Sequence, residues 1–117
     1  MTLPGIWPLR RVLVTGPSMA PALRHGDVLV VRRVRAHRPP PCGAVVVVAL
    51  PDRPLAVKRL VRTEPDGRVW VEGDNAFGST DSRDVGALPA GAVVARAVVR
   101  LWPRPGYVPV TPRPRQE

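Results

Sequence analysis

Lys58 is the only lysine among 18 basic residues in this 117-residue chain, and it lies in the run "PLAVKRLVRTE" (54–64). Alternation along 55–62 places Ala56, Lys58 and Leu60 on one face of a strand. An ammonium between apolar neighbours is desolvated, and desolvation lowers its pKa. Bringing a lysine from about 10.4 to near 7 costs roughly 4–5 kcal/mol. Arginine cannot be used this way, because its guanidinium stays charged up to about pH 12. A neutral amine is a general base, so one lysine in an arginine-rich chain fits a proton acceptor. The strand alone leaves a second reading open: a retained lysine whose stem lies on the sheet and whose amine reaches water. A base needs a partner, and "TGPSMAPALRHGD" (15–27) offers Ser18, just after Gly16-Pro17 on a tight turn. Such a turn exposes a hydroxyl and frees backbone N–H groups for an oxyanion. Taken by itself, Ser18 reads more readily as a turn cap than as a nucleophile.

The elements that must hold these residues are strands. Sixteen prolines and ten glycines in 117 residues exclude long helices, since each interior proline costs about 3 kcal/mol in a helix. Strands are expected at 11–15, 27–35, 44–50, 55–64, 68–73 and 92–102, each β-branched and bounded by turn residues. Pro65-Asp66-Gly67 marks a hairpin. Residues 18–26 allow one helical turn at most. The expectation is an all-β domain over 1–103 with strongly bent antiparallel sheets, followed by a Pro/Arg-rich tail over 104–117. Cys42, the lone cysteine, excludes an internal disulfide and is expected as a small packing residue.

The order of the blocks adds to this reading. "PSMAPALRHGD", "AVKRLV", "EGDNAFGSTDSRDVG" and "GAVVARAVVRLWP" follow one another from about Val12 to Pro103. This set resembles the signal-peptidase-like family of serine–lysine endopeptidases. The resemblance implies Ser18 as nucleophile and Lys58 as general base. It further implies that Ser79 orients the Lys58 amine, and that Asp81 and Arg83 form a supporting ion pair. The implied fold is mostly antiparallel β, in agreement with the strand pattern. The implied partner is a precursor protein held as an extended peptide, added as a strand beside 11–15 and 54–58.

There are departures from that family's pattern. Some members carry a serine two residues before the nucleophile, where this chain has Gly16. Larger members insert a second β-subdomain between the lysine block and the Gly-Asp-Asn block; here one hairpin joins them. The short, arginine-rich form is similar to one branch, the nickel-type superoxide dismutase maturation proteases, which implies removal of an N-terminal pro-segment from the dismutase precursor. The alternative within the same chemistry is a type I signal-peptidase-like enzyme cleaving secretory preproteins at a membrane.

No cofactor or metal is expected: His25, His37 and Cys42 do not make a zinc ligand set. The net charge of +9 suits an anionic partner, and a basic β-barrel that binds nucleic acid is the alternative from another class. Five scattered aromatics make no base-stacking platform, so no nucleic acid is expected. No stretch reaches the roughly 18–20 apolar residues of a membrane span. The expectation is therefore a cytoplasmic protein, with Leu3, Ile6 and Trp7 available for peripheral membrane contact.

Overall fold

In the computed structural model, residues 9–35, 38–75, 77 and 80–112 are described. Their backbone forms seven strands: β1 (Leu9–Leu13), β2 (Val28–Arg33), β3 (Val45–Val48), β4 (Ala56–Thr63), β5 (Val69–Glu72), β6 (Val93–Trp102) and β7 (Gly106–Tyr107). They make one antiparallel sheet in the order β1-β2-β6-β3-β4-β5, with β7 paired to β6. The all-β expectation holds, and each of the six anticipated strands is present.

The run "AVVVVAL" becomes β3, whose four valines are all buried. Val45 and Val47 join a cluster with Val12, Leu29, Val31, Ala95 and Ala97. Val46 and Val48 point the other way, into a cluster with Leu60, Val71, Val93 and Leu88. A central strand covered on both faces has no polar side, which is why its sequence shows no alternation. Irregular register between β2 and β6, β3 and β6, and β4 and β5 bends the sheet. Bulges of this kind increase local twist and let one sheet wrap two apolar clusters.

The β4–β5 hairpin closes at Pro65-Asp66-Gly67. Gly67 has φ +90°, its N–H donates to the Glu64 carbonyl (2.9 Å), and Glu64 N–H donates to the Arg68 carbonyl (2.7 Å). A three-residue loop with glycine in the left-handed region is a standard hairpin closure.

Regular helix occurs at α1 (Ser82–Val85) rather than within 18–26. In 18–26 a single bond from Leu23 N–H to the Met19 carbonyl (2.9 Å) closes one turn. A 3-10 turn at Ala90–Ala92 precedes β6.

Past Pro103 the chain is not uniformly detached. β7 lies against Val99 and Arg100 of β6, and Thr111 N–H donates to the Gly43 carbonyl (2.9 Å). Cys42, expected to pack, is exposed.

Candidate active site

The segment after β1 is pinned at both ends. Val14 N–H donates to the Asp27 carbonyl (2.8 Å) and Gly26 N–H to the Val14 carbonyl (2.8 Å), so 14–27 is a closed loop. Within it Met19 is fully buried and Leu23 nearly so, both in the β1–β2–β3 cluster. Removing such a side chain typically costs about 2–5 kcal/mol. Met19 therefore anchors the residue beside it, the half-buried Ser18.

Gly16 has φ +82°, and its N–H donates to Nδ1 of His25 (3.0 Å). That bond requires Nδ1 to be without a proton. On the other side, Asn75 N–H donates to the Ser18 carbonyl (2.8 Å) and its side-chain amide to the Pro17 carbonyl (3.3 Å). Asp27, buried, accepts from Arg24 N–H (2.9 Å) and lies 3.6 Å from Arg100. The serine turn is thus held by His25 and Asp27 from its own loop and by Asn75, nearly fifty residues further along the chain.

Lys58 sits in β4 opposite Val46 of β3 and is only 3% exposed. Ala56 and Leu60 pack on the same cluster as Val46, as the alternation predicts. Burial lowers the Lys58 pKa from its ordinary 10.5. Asp81 and Asp84 act in the opposite direction, while Arg83 and Arg53 reinforce the lowering. A cleft of about 260 Å³ is lined by both Ser18 and Lys58, together with Thr15, Gly16, Leu55 and Thr80. The serine turn and the lysine strand, forty residues apart in sequence, are walls of one cavity.

Asp81 and Arg83 are in direct contact. Asp81 is fully buried; its carboxylate accepts from Gly73 N–H (2.9 Å), from Arg83 N–H (2.9 Å) and from the Arg83 guanidinium. Asp81 N–H in turn donates to the Asp84 carboxylate (3.0 Å), completing a capping box at the start of α1. Burial pushes the Asp81 carboxyl up, but the Arg83 guanidinium and the Gly73 and Arg83 N–H groups outweigh it and hold it below its ordinary value. Asp81 is therefore a fixed negative charge acting on Lys58. Ser79, expected beside the Lys58 amine, lies outside the described residues, as do His37, Leu3, Ile6 and Trp7. Among the described residues, no group of three or more His, Cys, Asp and Glu is arranged to hold a metal ion.

One strong interaction carries no local signal in sequence. Arg59, next to Lys58, is buried and makes a bidentate pair with Asp74 (2.8 and 2.7 Å). Its remaining arm donates to the Gly43 carbonyl (2.7 Å). This pair ties the lysine strand to Asn75, and so to the serine turn, with the planar fork only arginine provides.

The sequence model of the Peptidase S24-like family matches residues 9–85, which include the serine turn, the lysine strand and the Asp81–Arg83 pair. The chain belongs to that family. It is also similar to the mitochondrial inner membrane protease subunit 1 of Xenopus tropicalis, 32% identical across 88% of this chain and 75% of that protein. The mitochondrial ATP-independent inner membrane protease subunit 1b of Arabidopsis thaliana is 32% identical across 85% of this chain and 73% of its own length. A shorter match, 46% identical over 39 residues, is to the mitochondrial inner membrane protease subunit 2 of Saccharomyces cerevisiae. These likenesses and the family assignment make the chain a signal-peptidase-like serine peptidase. None of these relatives is a nickel dismutase maturation protease. Among the described residues, no helix is long and apolar enough to cross a membrane.

Proposed function

We propose that Ser18 and Lys58 are the catalytic pair of an endopeptidase that removes an N-terminal segment from a precursor protein. The observation that supports it is the buried, pKa-lowered amine of Lys58 in the cleft that Ser18 lines. The uncharged Lys58 Nζ takes the Ser18 proton as Oγ bonds to the scissile carbonyl carbon. The resulting ammonium gives that proton to the leaving amine as the C–N bond breaks, leaving an acyl-enzyme. Water then gives a proton to Lys58 and its oxygen attacks the ester carbon. The C–O bond to Ser18 breaks, and the proton returns to Oγ. Gly16 N–H is engaged by His25, so we assign the Ser18 N–H as one oxyanion donor; Thr15, also on the cleft wall, is the second candidate.

Asp81 and Arg83 set the field around Lys58 and fix the loop that carries Thr80. In the same reading, Ser79 orients the Lys58 amine. The substrate lies extended along Val14–Gly16 and Pro54–Val57, two stretches of the cleft wall. Leu55 and Val57 there suit small apolar side chains.

Two substrates are in view. The arginine-rich sequence, with a single hairpin between the lysine block and the Gly-Asp-Asn block, suggests a nickel superoxide dismutase precursor. The likeness to inner membrane protease subunits favours a precursor processed at a membrane, over the cytoplasmic placement expected from the sequence. Incubation with each precursor, followed by mass spectrometry of the products, decides between them. Cleavage of the secretory or membrane precursor alone removes the dismutase reading. Cleavage of neither by wild type, under conditions where it is folded, overturns the endopeptidase assignment.

A further inference from the structure

A second cavity, of about 420 Å³, shares no lining residue with the Ser18–Lys58 cleft. Its walls carry Arg32 and Arg33 from the end of β2, Arg35 and Arg38 from the following loop, and Arg96 from β6. The backbone holds these five together: Arg32 and Arg96 are direct cross-strand partners, and Arg38 N–H donates to the Arg35 carbonyl (2.9 Å). Like charges placed opposite each other on a sheet are destabilising. Here the described lining residues contribute no acid to set against the facing pair Arg32 and Arg96. Five of the chain's acids are paired with arginines elsewhere: Asp27, Glu64, Asp66, Asp74 and Asp81. The Nε of Arg96 is buried and has no hydrogen-bond partner among the described residues.

We propose that this cavity binds a phosphate group. Guanidinium forks match phosphate oxygens bidentately, and a multiply charged anion relieves several arginines at once where a single carboxylate relieves fewer. An apolar recess of about 100 Å³ adjoins the cavity, sharing Val34, Arg35, Pro39 and Pro40 with it and continuing along Leu60 and Val69. Phosphate-binding arginines opening onto an apolar recess suit a phospholipid, with its headgroup on the arginines and the start of a chain in the recess. The site stands on this geometry and does not depend on the catalytic assignment.

Calorimetric titration of the full chain with inorganic phosphate, dihexanoyl phosphatidic acid and dihexanoyl phosphatidylcholine tests it. Saturable binding of one phosphate-bearing ligand per chain is expected, with phosphatidylcholine weakest because its own cation opposes the arginines. Tighter binding of phosphatidic acid than of inorganic phosphate identifies the lipid as the source, and equal binding identifies free phosphate; both sustain the site. Arg96→Gln should weaken binding about tenfold or more. Because Arg96 lies within β6, the loop pair Arg35→Ser/Arg38→Ser serves as a second variant, expected to weaken binding at unchanged fold. The control pair Arg68→Ser/Arg104→Ser removes the same charge from elsewhere on the surface. Loss of binding to the same extent in the control pair, or no saturable binding by any probe, overturns the proposal.

Discussion

Lys58→Met separates the chemistry of the amine from its effect on folding. Lys58 is 3% exposed and shares its face of β4 with Ala56 and Leu60, so a methionine of similar length fills the same space without a polar end. In the wild type, burial lowers the amine's pKa below 10.5, and the folded protein therefore gives up the proton at lower pH than the unfolded chain does. The sign follows. Below the folded-state pKa both forms carry the proton, and the native state bears the full penalty of a buried ammonium. Between the folded-state pKa and 10.5 the unfolded chain binds more protons, so stability rises with pH. Above that window the penalty is gone.

The slope from one such proton approaches about 1.4 kcal/mol per pH unit in the middle of the window. Lys58→Met has no amine, and this component should vanish from its stability profile. The measurement is urea unfolding of both proteins across neutral to alkaline pH, read as the difference between them, which cancels every other titrating group. The variant should be at least as stable as wild type at neutral pH, with the two converging as pH rises. Its peptidase activity should fall by roughly 100- to 10,000-fold, the usual contribution of a general base. Parallel stability profiles would show that Lys58 has the same pKa folded and unfolded, and the argument for a neutral amine would collapse. Full activity in Lys58→Met would end the catalytic assignment outright.

Ser18→Ala should remove turnover with no significant change in the unfolding midpoint, since Ser18 is half-buried and Asn75 holds this turn through the Pro17 and Ser18 carbonyls; substantial activity in the purified variant counts against Ser18 as nucleophile. Arg53→Gln removes a cation that lowers the Lys58 pKa, so the rise of kcat/KM with pH should move to higher pH, and a move to lower pH contradicts the electrostatics. Asp81→Ala leaves the buried Gly73 N–H without its acceptor, while the exposed Arg83 guanidinium reaches water and keeps the Gly73 carbonyl, so the loss should be about 1–3 kcal/mol; chemical denaturation giving less than about 0.5 kcal/mol would mean the loop does not rely on it. Gly16→Ser meets open space at its Cβ but must adopt φ +82°, so it should cost about 1–2 kcal/mol in the same denaturation assay.

What was legible in the sequence follows from how each interaction is encoded. The strands could be read because β-branched runs such as Val45–Val48 and Ala56–Thr63 end at proline and glycine. Those signals are local. Lys58 stands out because it contrasts with seventeen arginines, whereas the pairing of Asp81 with Arg83 comes only with the family resemblance, since that block by itself reads as a solvated turn. Arg59 had no such contrast: it is one arginine among many, and its partner Asp74 is fifteen residues away across a hairpin. The bond from Gly16 to His25 was equally hidden, since nothing in "TGPSMAPALRHGD" distinguishes a histidine that accepts from the loop from one that faces water.

The helix and the C-terminal segment show the other limit of local reading. Four residues at Ser82–Val85 are too few for a periodic pattern, and the turn forms because Asp81 and Asp84 cap it with two side chains. The proline-rich stretch after Pro103 carries the composition of an extended tail, yet Thr111 bonds the same Gly43 carbonyl that Arg59 holds. That carbonyl lies at the end of a continuous path: Gly43 to Arg59, Arg59 to Asp74, and through Asn75 to the backbone of Pro17 and Ser18. Composition describes what a segment can do alone, whereas docking depends on an acceptor sixty-eight residues away. The position of Ser18 is therefore set as much by Arg59 and Asn75 as by its own turn.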